Sequence, residues 1–259
     1  MAENTNRERD LVLAPNEYCF ISDQTKGHIV VYVGPYKTSL ANTDQPVTFN
    51  DRSKRFERTT LEQAIAIFST APEGWYLVLK NPAKDGIQPP HFGSNSLPEL
   101  RVGHKMNIPG PINFALWPGQ MVRVIPGHYL HLNQYLVVRV YDEEAAKLNW
   151  KKAVVKPQQA AVTGEEAKNA GISDDIPHLI MGKLLVIKGT EVSFYIPPTG
   201  VEVVRDANGG YLREAVTLER LEYCILLDED GNKRFIQGPA VVFPSPTETF
   251  IEKNGTCKF

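Results

Sequence analysis

The chain is 259 residues long, with 42% hydrophobic and 22% charged residues and a formal net charge of −2 at pH 7. That is the make-up of an ordinary globular chain, and it excludes a collagen-like, coiled-coil or wholly disordered one. Lys+Arg total 28 and Asp+Glu 30, so the basic excess usual in domains that grip nucleic acid is missing.

In chain order, the polar residues 1–10 read as a tail and not as a signal peptide. No apolar run approaches the roughly 20 residues that span a bilayer. Residues 14–36, APNEYCFISDQTKGHIVVYVGPY, then set a pattern: Glu-Tyr-Cys, an apolar pair, an Asp-containing turn, a second apolar stretch and Gly-Pro. Residues 221–243, LEYCILLDEDGNKRFIQGPAVVF, repeat it. Such self-similarity is the signature of a repeat architecture. The opening of the pattern, Ala14-Pro15-Asn16-Glu17-Tyr18, is matched by Ala71-Pro72-Glu73-Gly74-Trp75 and by Ile125-Pro126-Gly127-His128-Tyr129. Its close, Gly34-Pro35, is matched at Gly110-Pro111, at Gly189-Thr190 and at Gly238-Pro239.

Four units follow. Residues 11–70 form the first, with a short helix; residues 71–124 form the second; residues 125–217 form the third; and residues 218–259 form an incomplete fourth. The intervals from Tyr18 to Trp75 and from Trp75 to Tyr129 are nearly equal, whereas Tyr129 to Tyr223 is far longer. An insertion is therefore expected in the third unit, at residues 142–178, which are rich in Ala, Gln, Lys and Glu.

Within the units, residues 28–33 (HIVVYV) and 134–141 (QYLVVRVY) read as strands, being β-branched and aromatic. Residues 23–27 and 228–232 read as hairpin turns. Two segments depart from this pattern. Thr59 stands three residues before Glu62, a capping-box spacing, so a helix is expected over 60–69. A second is expected over 142–152, with a loop to about 176. The fold class is thus all-β: tandem small antiparallel sheets with one short helix and one helical or loop insertion.

The segments Gly189 to Val204 (GTEVSFYIPPTGVEVV), Gly110 to Tyr129 (GPINFALWPGQMVRVIPGHY) and Glu222 to Pro239 (EYCILLDEDGNKRFIQGP) resemble the N-terminal β repeats of the major vault protein. The resemblance is at repeat level. It implies a structural subunit that packs side by side with copies of itself and with neighbouring proteins of a large ring, sleeve or shell. It does not extend to a shoulder domain or a long cap helix. A short chain of this kind suits a bacteriophage virion. The expected location is a cytoplasmic assembly, or the virion if the chain is phage-encoded.

Catalytic patterns offer little. His128 and His131 are the closest His pair, but on a strand they point to opposite faces. Cys19, Cys224 and Cys257 contain no CxxC pair, which gives neither a disulfide framework nor a zinc site. Asp174-Asp175 and Asp228-Glu229-Asp230 sit in turn-like contexts. The basic clusters at 52–58 and 151–156 lack an aromatic platform. The expectation is a non-enzymatic chain with no cofactor, metal, small-molecule substrate, membrane or nucleic-acid partner. Its defining residues are Tyr18, Trp75, Tyr129 and Tyr223 as core anchors, and Gly34, Gly110, Gly189 and Gly238 at the turn that follows. The alternative is a monomeric adaptor that binds a partner through residues 142–178.

Overall fold

Four short runs, EYCFI (17–21), WYLVL (75–79), QYLVV (134–138) and EYCIL (222–226), become the central strands of four copies of one antiparallel plan. The computed structural model describes residues 10–50, 52–90, 92–158, 177–253 and 255–259. The chain divides into two compact halves, Met1–Pro126 and Gly127–Phe259, and each half holds two of the repeats.

The first repeat shows the plan. A lead strand, Asp10–Leu13, runs into a four-residue turn and then the central strand Glu17–Asp23. A tight hairpin brings back His28–Val33, register Tyr18↔Val33 to Asp23↔His28. The Gly34–Pro35 peptide, which is cis, then swings the chain into the return strand Tyr36–Ser39, which pairs with the lead strand. A second turn feeds Asp44–Asn50 onto the other side of the central strand. Lead and return strands make one small sheet and the other three make another. The remaining repeats follow suit, with lead and return strands Ser69–Ala71 and Ile112–Phe114, His128–Tyr129 and Val192–Ile196, and Val216–Leu218 and Ala240–Val242.

The turns explain the sequence pattern. In each repeat the amide at the head of the central strand donates to the carbonyl three residues earlier: Glu17 to Ala14, Trp75 to Pro72, Gln134 to His131 and Glu222 to Glu219. In three of the four, the head residue's own side chain accepts the amide at the start of the turn: Ala14 N to Glu17 Oε2 (2.8 Å), His131 N to Gln134 Oε1 (3.1 Å) and Glu219 N to Glu222 Oε2 (2.7 Å). The second repeat has Trp75 at this position, and its turn starts with Pro72, which has no N–H to satisfy. Loss of the acceptor and loss of the donor go together. The third position of the turn takes positive φ at Asn16, Gly74 and Leu221.

Two long connections carry additions. Residues 81–104 leave the second repeat and place Gly93–Asn95 against His28–Val33 of the first, antiparallel. Nothing in the alternation of that three-residue polar strand announces it. Residues 141–183 hold the helix Glu143–Asn149, capped by Asp142 accepting from Ala145 N, then a 3₁₀ turn Trp150–Lys152, then Val154–Pro157, which pairs with Val192–Ile196. The expected helix at 142–152 is thus an α-helix followed by a 3₁₀ turn. The expected loop to 176 falls largely on residues 159–176, outside the described residues.

The expected helix over 60–69 is only one turn, Leu61–Ala64, and its cap is Thr60, not Thr59. From Ile65 the chain pairs with Glu17–Cys19 as strand Ile65–Ile67. Backbone pairing for β-branched residues overrides a short helical periodicity. The fourth repeat, expected to be incomplete, has every strand of the plan. Thr249–Phe250 pairs with Leu226 and Leu227. Phe259 closes the ladder on Tyr223 through both backbone bonds, at 2.9 and 3.0 Å.

The cores follow from strand alternation. One face of each central strand is buried, with Cys19 and Ile21, Leu77 and Leu79, Leu136 and Val138, and Cys224 and Leu226; in the first, third and fourth repeats that face packs within its own unit. The opposite face of the first repeat, Tyr18 and Phe20, joins the cluster of Leu77, Leu79, Phe114 and Trp117 in the second. In the C-terminal half, Tyr135 and Val137 of the third repeat cluster with Ala215, and Phe243 of the fourth packs against them. In the leading repeat of each half one face closes the repeat and the other stacks on the next, as in repeat proteins generally.

Candidate assembly surface

The glycines come together in one role. Gly34, Gly110, Gly189 and Gly238 each donate their amide to the head of the central strand, to Glu17 O, Trp75 O, Gln134 O and Glu222 O, at 2.7–2.8 Å. A Cβ on any of them would fall within 3.0 Å of a backbone carbonyl oxygen of the opening turn, those of Ala14, Pro72, His131 and Glu219 respectively. The crossing point between the two sheets is so tight that only glycine fits.

The aromatic positions require correction. The shared hydrogen bonds make Tyr18 equivalent to Tyr76, Tyr135 and Tyr223. Trp75 stands one place earlier, and Tyr129 lies in a lead strand. Tyr18 is buried, but Trp75 is 40% exposed, Tyr129 65% and Tyr223 41%, so the last three do not anchor cores. Tyr76 and Tyr135, missed in the sequence, are buried. The misleading cue was Pro-x-x-aromatic: the proline is the second residue of the turn at Pro15 but the first at Pro72. The reliable cue was a Tyr followed by three apolar residues. Tyr223, on the outer face of the last repeat, stacks on Phe259 with ring centroids 5.5 Å apart.

Part of the remaining candidate chemistry is taken up by structure. Asp228 Oδ1 accepts from the amides of Asp230 and Asn232, and Oδ2 from the Asn232 side chain. Its carboxyl is held below its ordinary pKa first by the Asn232 side chain, and these bonds fasten its own turn. Asp174 and Asp175 lie outside the described residues. Burial pushes the Cys19 thiol up to about 12, opposite to the shift that activates a nucleophilic cysteine. Cys224 occupies the equivalent buried place, and all three cysteines are free. Among the described residues no group of three or more His, Cys, Asp or Glu is placed to hold a metal, and no helix is long and apolar enough to cross a membrane. Arg52, Lys54, Arg55 and Arg58 are exposed on the hairpin between Asp44–Asn50 and Arg55–Arg58. Lys156 lies over the Phe194 ring at 5.5 Å.

His128 is buried, edge-on to the Tyr211 ring at 4.9 Å, and Arg205 stacks on that ring at 5.0 Å. Burial lowers its pKa from 6.5 to about 4. The unfolded chain therefore takes up a proton near pH 6.5 that the folded chain refuses until about pH 4, so stability falls as pH falls through that window. Between pH 7.5 and pH 5 the expected loss is about 2 kcal/mol. Urea unfolding of wild type and His128→Phe at the two pH values measures it; an equal change in both proteins assigns the loss to other groups.

The surface that remains is one of strand edges and single apolar side chains. Residues 142–178, the candidate contact element, divide. Ala146, Trp150 and Leu179 (just beyond it) are buried in the core of the third repeat, while Leu148 is 80% exposed and Met181 beside the segment 71%. Gly200, whose carbonyl accepts from Tyr141 N and Asp142 N, lies against the backbone of Ala146 too closely for any Cβ. The start of the insertion is therefore part of the fold. A comparison with protein-family models and with curated proteins finds no match for this chain.

Proposed function

We propose that this chain is a non-enzymatic structural subunit, a vault-repeat-like protein that packs into a large ring, sleeve or shell, and in its most specific form a bacteriophage virion component. The observation that carries the reading is the four-fold recurrence of one two-sheet unit, with the same turn bonds and the same glycine crossing in each. Such repeats stack one-dimensionally and leave strand edges along their flanks, and an edge is a template for another chain. The resemblance to the repeats of the major vault protein supports the same reading.

Mass photometry of the purified chain, followed by negative-stain imaging, tests it. Discrete species of high copy number are the expected result. A particle that stays at 29.0 kDa at high concentration would overturn self-assembly. The second reading, an adaptor, draws on exposed Leu148 and Met181. Deleting all of 142–178 does not test it, because that deletion removes buried Ala146 and Trp150. Leu148→Ser with Met181→Ser does, since it should abolish partner binding and leave the fold intact.

A further inference from the structure

We propose that two copies of this chain pair through the outer edge of strand Leu184–Lys188, each copy adding this strand antiparallel to the other about a two-fold axis at Val186. The inference rests on the assembly reading above and names the contact that joins copies in pairs; growth beyond a pair needs a second, head-to-tail contact.

Four strands occupy the same place in the four repeats: His28–Val33, Lys105–Pro109, Leu184–Lys188 and Lys233–Gln237. Each pairs on one side with its central strand. The other side is treated differently in each. In the first repeat it carries Gly93–Asn95, antiparallel, with Gly93↔Val33, Ser94↔Tyr32 and Asn95↔Val31. The chain itself thus demonstrates that this edge accepts an added antiparallel strand. In the second repeat the strand opens with Lys105 and ends in Pro109, and in the fourth it begins Lys233-Arg234. Charges and prolines are how natural sheets protect an open edge. Three further flanking strands have the same protection: Arg55 and Arg58 on Arg55–Arg58, Arg123 and Pro126 on Met121–Pro126, Lys156 and Pro157 on Val154–Pro157.

Leu184–Lys188 has no proline, and no charge before its last residue, Lys188. Residues 184–187 are Leu-Leu-Val-Ile, and among the described residues no strand pairs with their outer side. The strand is held from both faces. Leu184 and Val186 pack on the cluster of Tyr135 and Val137, and Leu185 and Ile187 on the cluster of Leu136 and Val138. Its edge is therefore ordered before any partner arrives, which lowers the entropic cost of pairing.

The occupant follows from the sequence of the strand. Antiparallel self-pairing about Val186 sets Leu185 opposite Ile187 in both directions and Val186 opposite itself. Lys188 then faces Leu184 and Lys183 faces Gly189, so no lysine opposes a lysine, which would be destabilising. A contact in which one patch meets itself is the isologous form of a two-fold dimer.

The test is Val186→Cys in a Cys257→Ser full-length chain, with Leu148→Cys in the same background as control. Residues directly opposite in an antiparallel pair have Cα atoms about 4.5–5.5 Å apart, within disulfide reach. Under mild oxidation the Val186→Cys chain should run as a covalent dimer on a non-reducing gel and the Leu148→Cys chain should not. If Val186→Cys stays unlinked while mass photometry shows wild-type oligomers, the assembly reading stands and this contact is wrong. If it stays unlinked and wild type is monomeric, both fail. Should the variant not fold, hydrogen exchange on wild type decides: amides of Leu184–Lys188 should gain protection as protein concentration rises, and concentration-independent exchange would overturn the contact.

Discussion

Replacing Gly34, Gly110, Gly189 or Gly238 by alanine is expected to destabilise its half of the chain by about 3 kcal/mol or more, against about 1 kcal/mol for Gly27→Ala. The two kinds of glycine differ in what surrounds them. Gly27 has φ +71 and nothing within 4 Å of an added Cβ, so alanine there meets only the intrinsic penalty of the left-handed region. At the four crossing glycines φ is ordinary and the obstruction is backbone: a methyl would press on the carbonyl of the opening turn, and a peptide group cannot swing away like a side-chain end. Relief requires separating the crossing from the turn, which loses the amide bond to the head of the central strand in the same motion. Thermal unfolding followed by circular dichroism should show midpoints lowered by on the order of 10 °C for the crossing variants. Equal shifts for Gly27→Ala and Gly34→Ala would mean that the crossing tolerates displacement and that the repeat is held by its cores alone.

Those glycines were legible in the sequence because their demand is local and absolute, and a spacing repeated down the chain exposes it. The all-β class and the long connection in the third repeat were legible for the same reason. The aromatic register was not. Pro15 and Pro72 occupy different places in otherwise equal turns, so aligning on proline selected Trp75 in place of Tyr76, and at the third repeat selected Tyr129, six residues ahead of Tyr135. The strand Gly93–Asn95 was invisible because three polar residues carry no alternation; its place is set by the edge it covers. The segment after Thr60 read as helix because Leu61, Ile65 and Phe68 share a helical face, yet Ile65–Ile67 answers to the free side of Glu17–Cys19. At the assembly edge, the run Leu-Leu-Val-Ile was plain in the sequence, but its significance depended on knowing that three equivalent strands are covered or charged.

Trp150→Ala is the second large effect, with an expected loss of about 3–5 kcal/mol from the C-terminal half. Trp150 is 4% exposed and sits among Leu136, Val138, Val140, Leu179 and Tyr195, so truncation leaves a cavity walled by both the central strand and the insertion. Its Nε1 is buried and finds no acceptor among the described residues, and an unsatisfied buried donor costs about 1–3 kcal/mol. Trp150→Phe removes that donor while keeping an aromatic ring in the site. The relieved polar cost offsets part of the lost packing, so this variant should stay within about 1.5 kcal/mol of wild type. Urea unfolding of the two variants separates the readings of the insertion. A large gap between Ala and Phe places the helix Glu143–Asn149 and its 3₁₀ turn in the structural framework, where exposed Leu148 is presented on a rigid support. A small loss for Trp150→Ala would make the segment a separable appendage and restore deletion of residues 142–178 as a fair test of the adaptor reading.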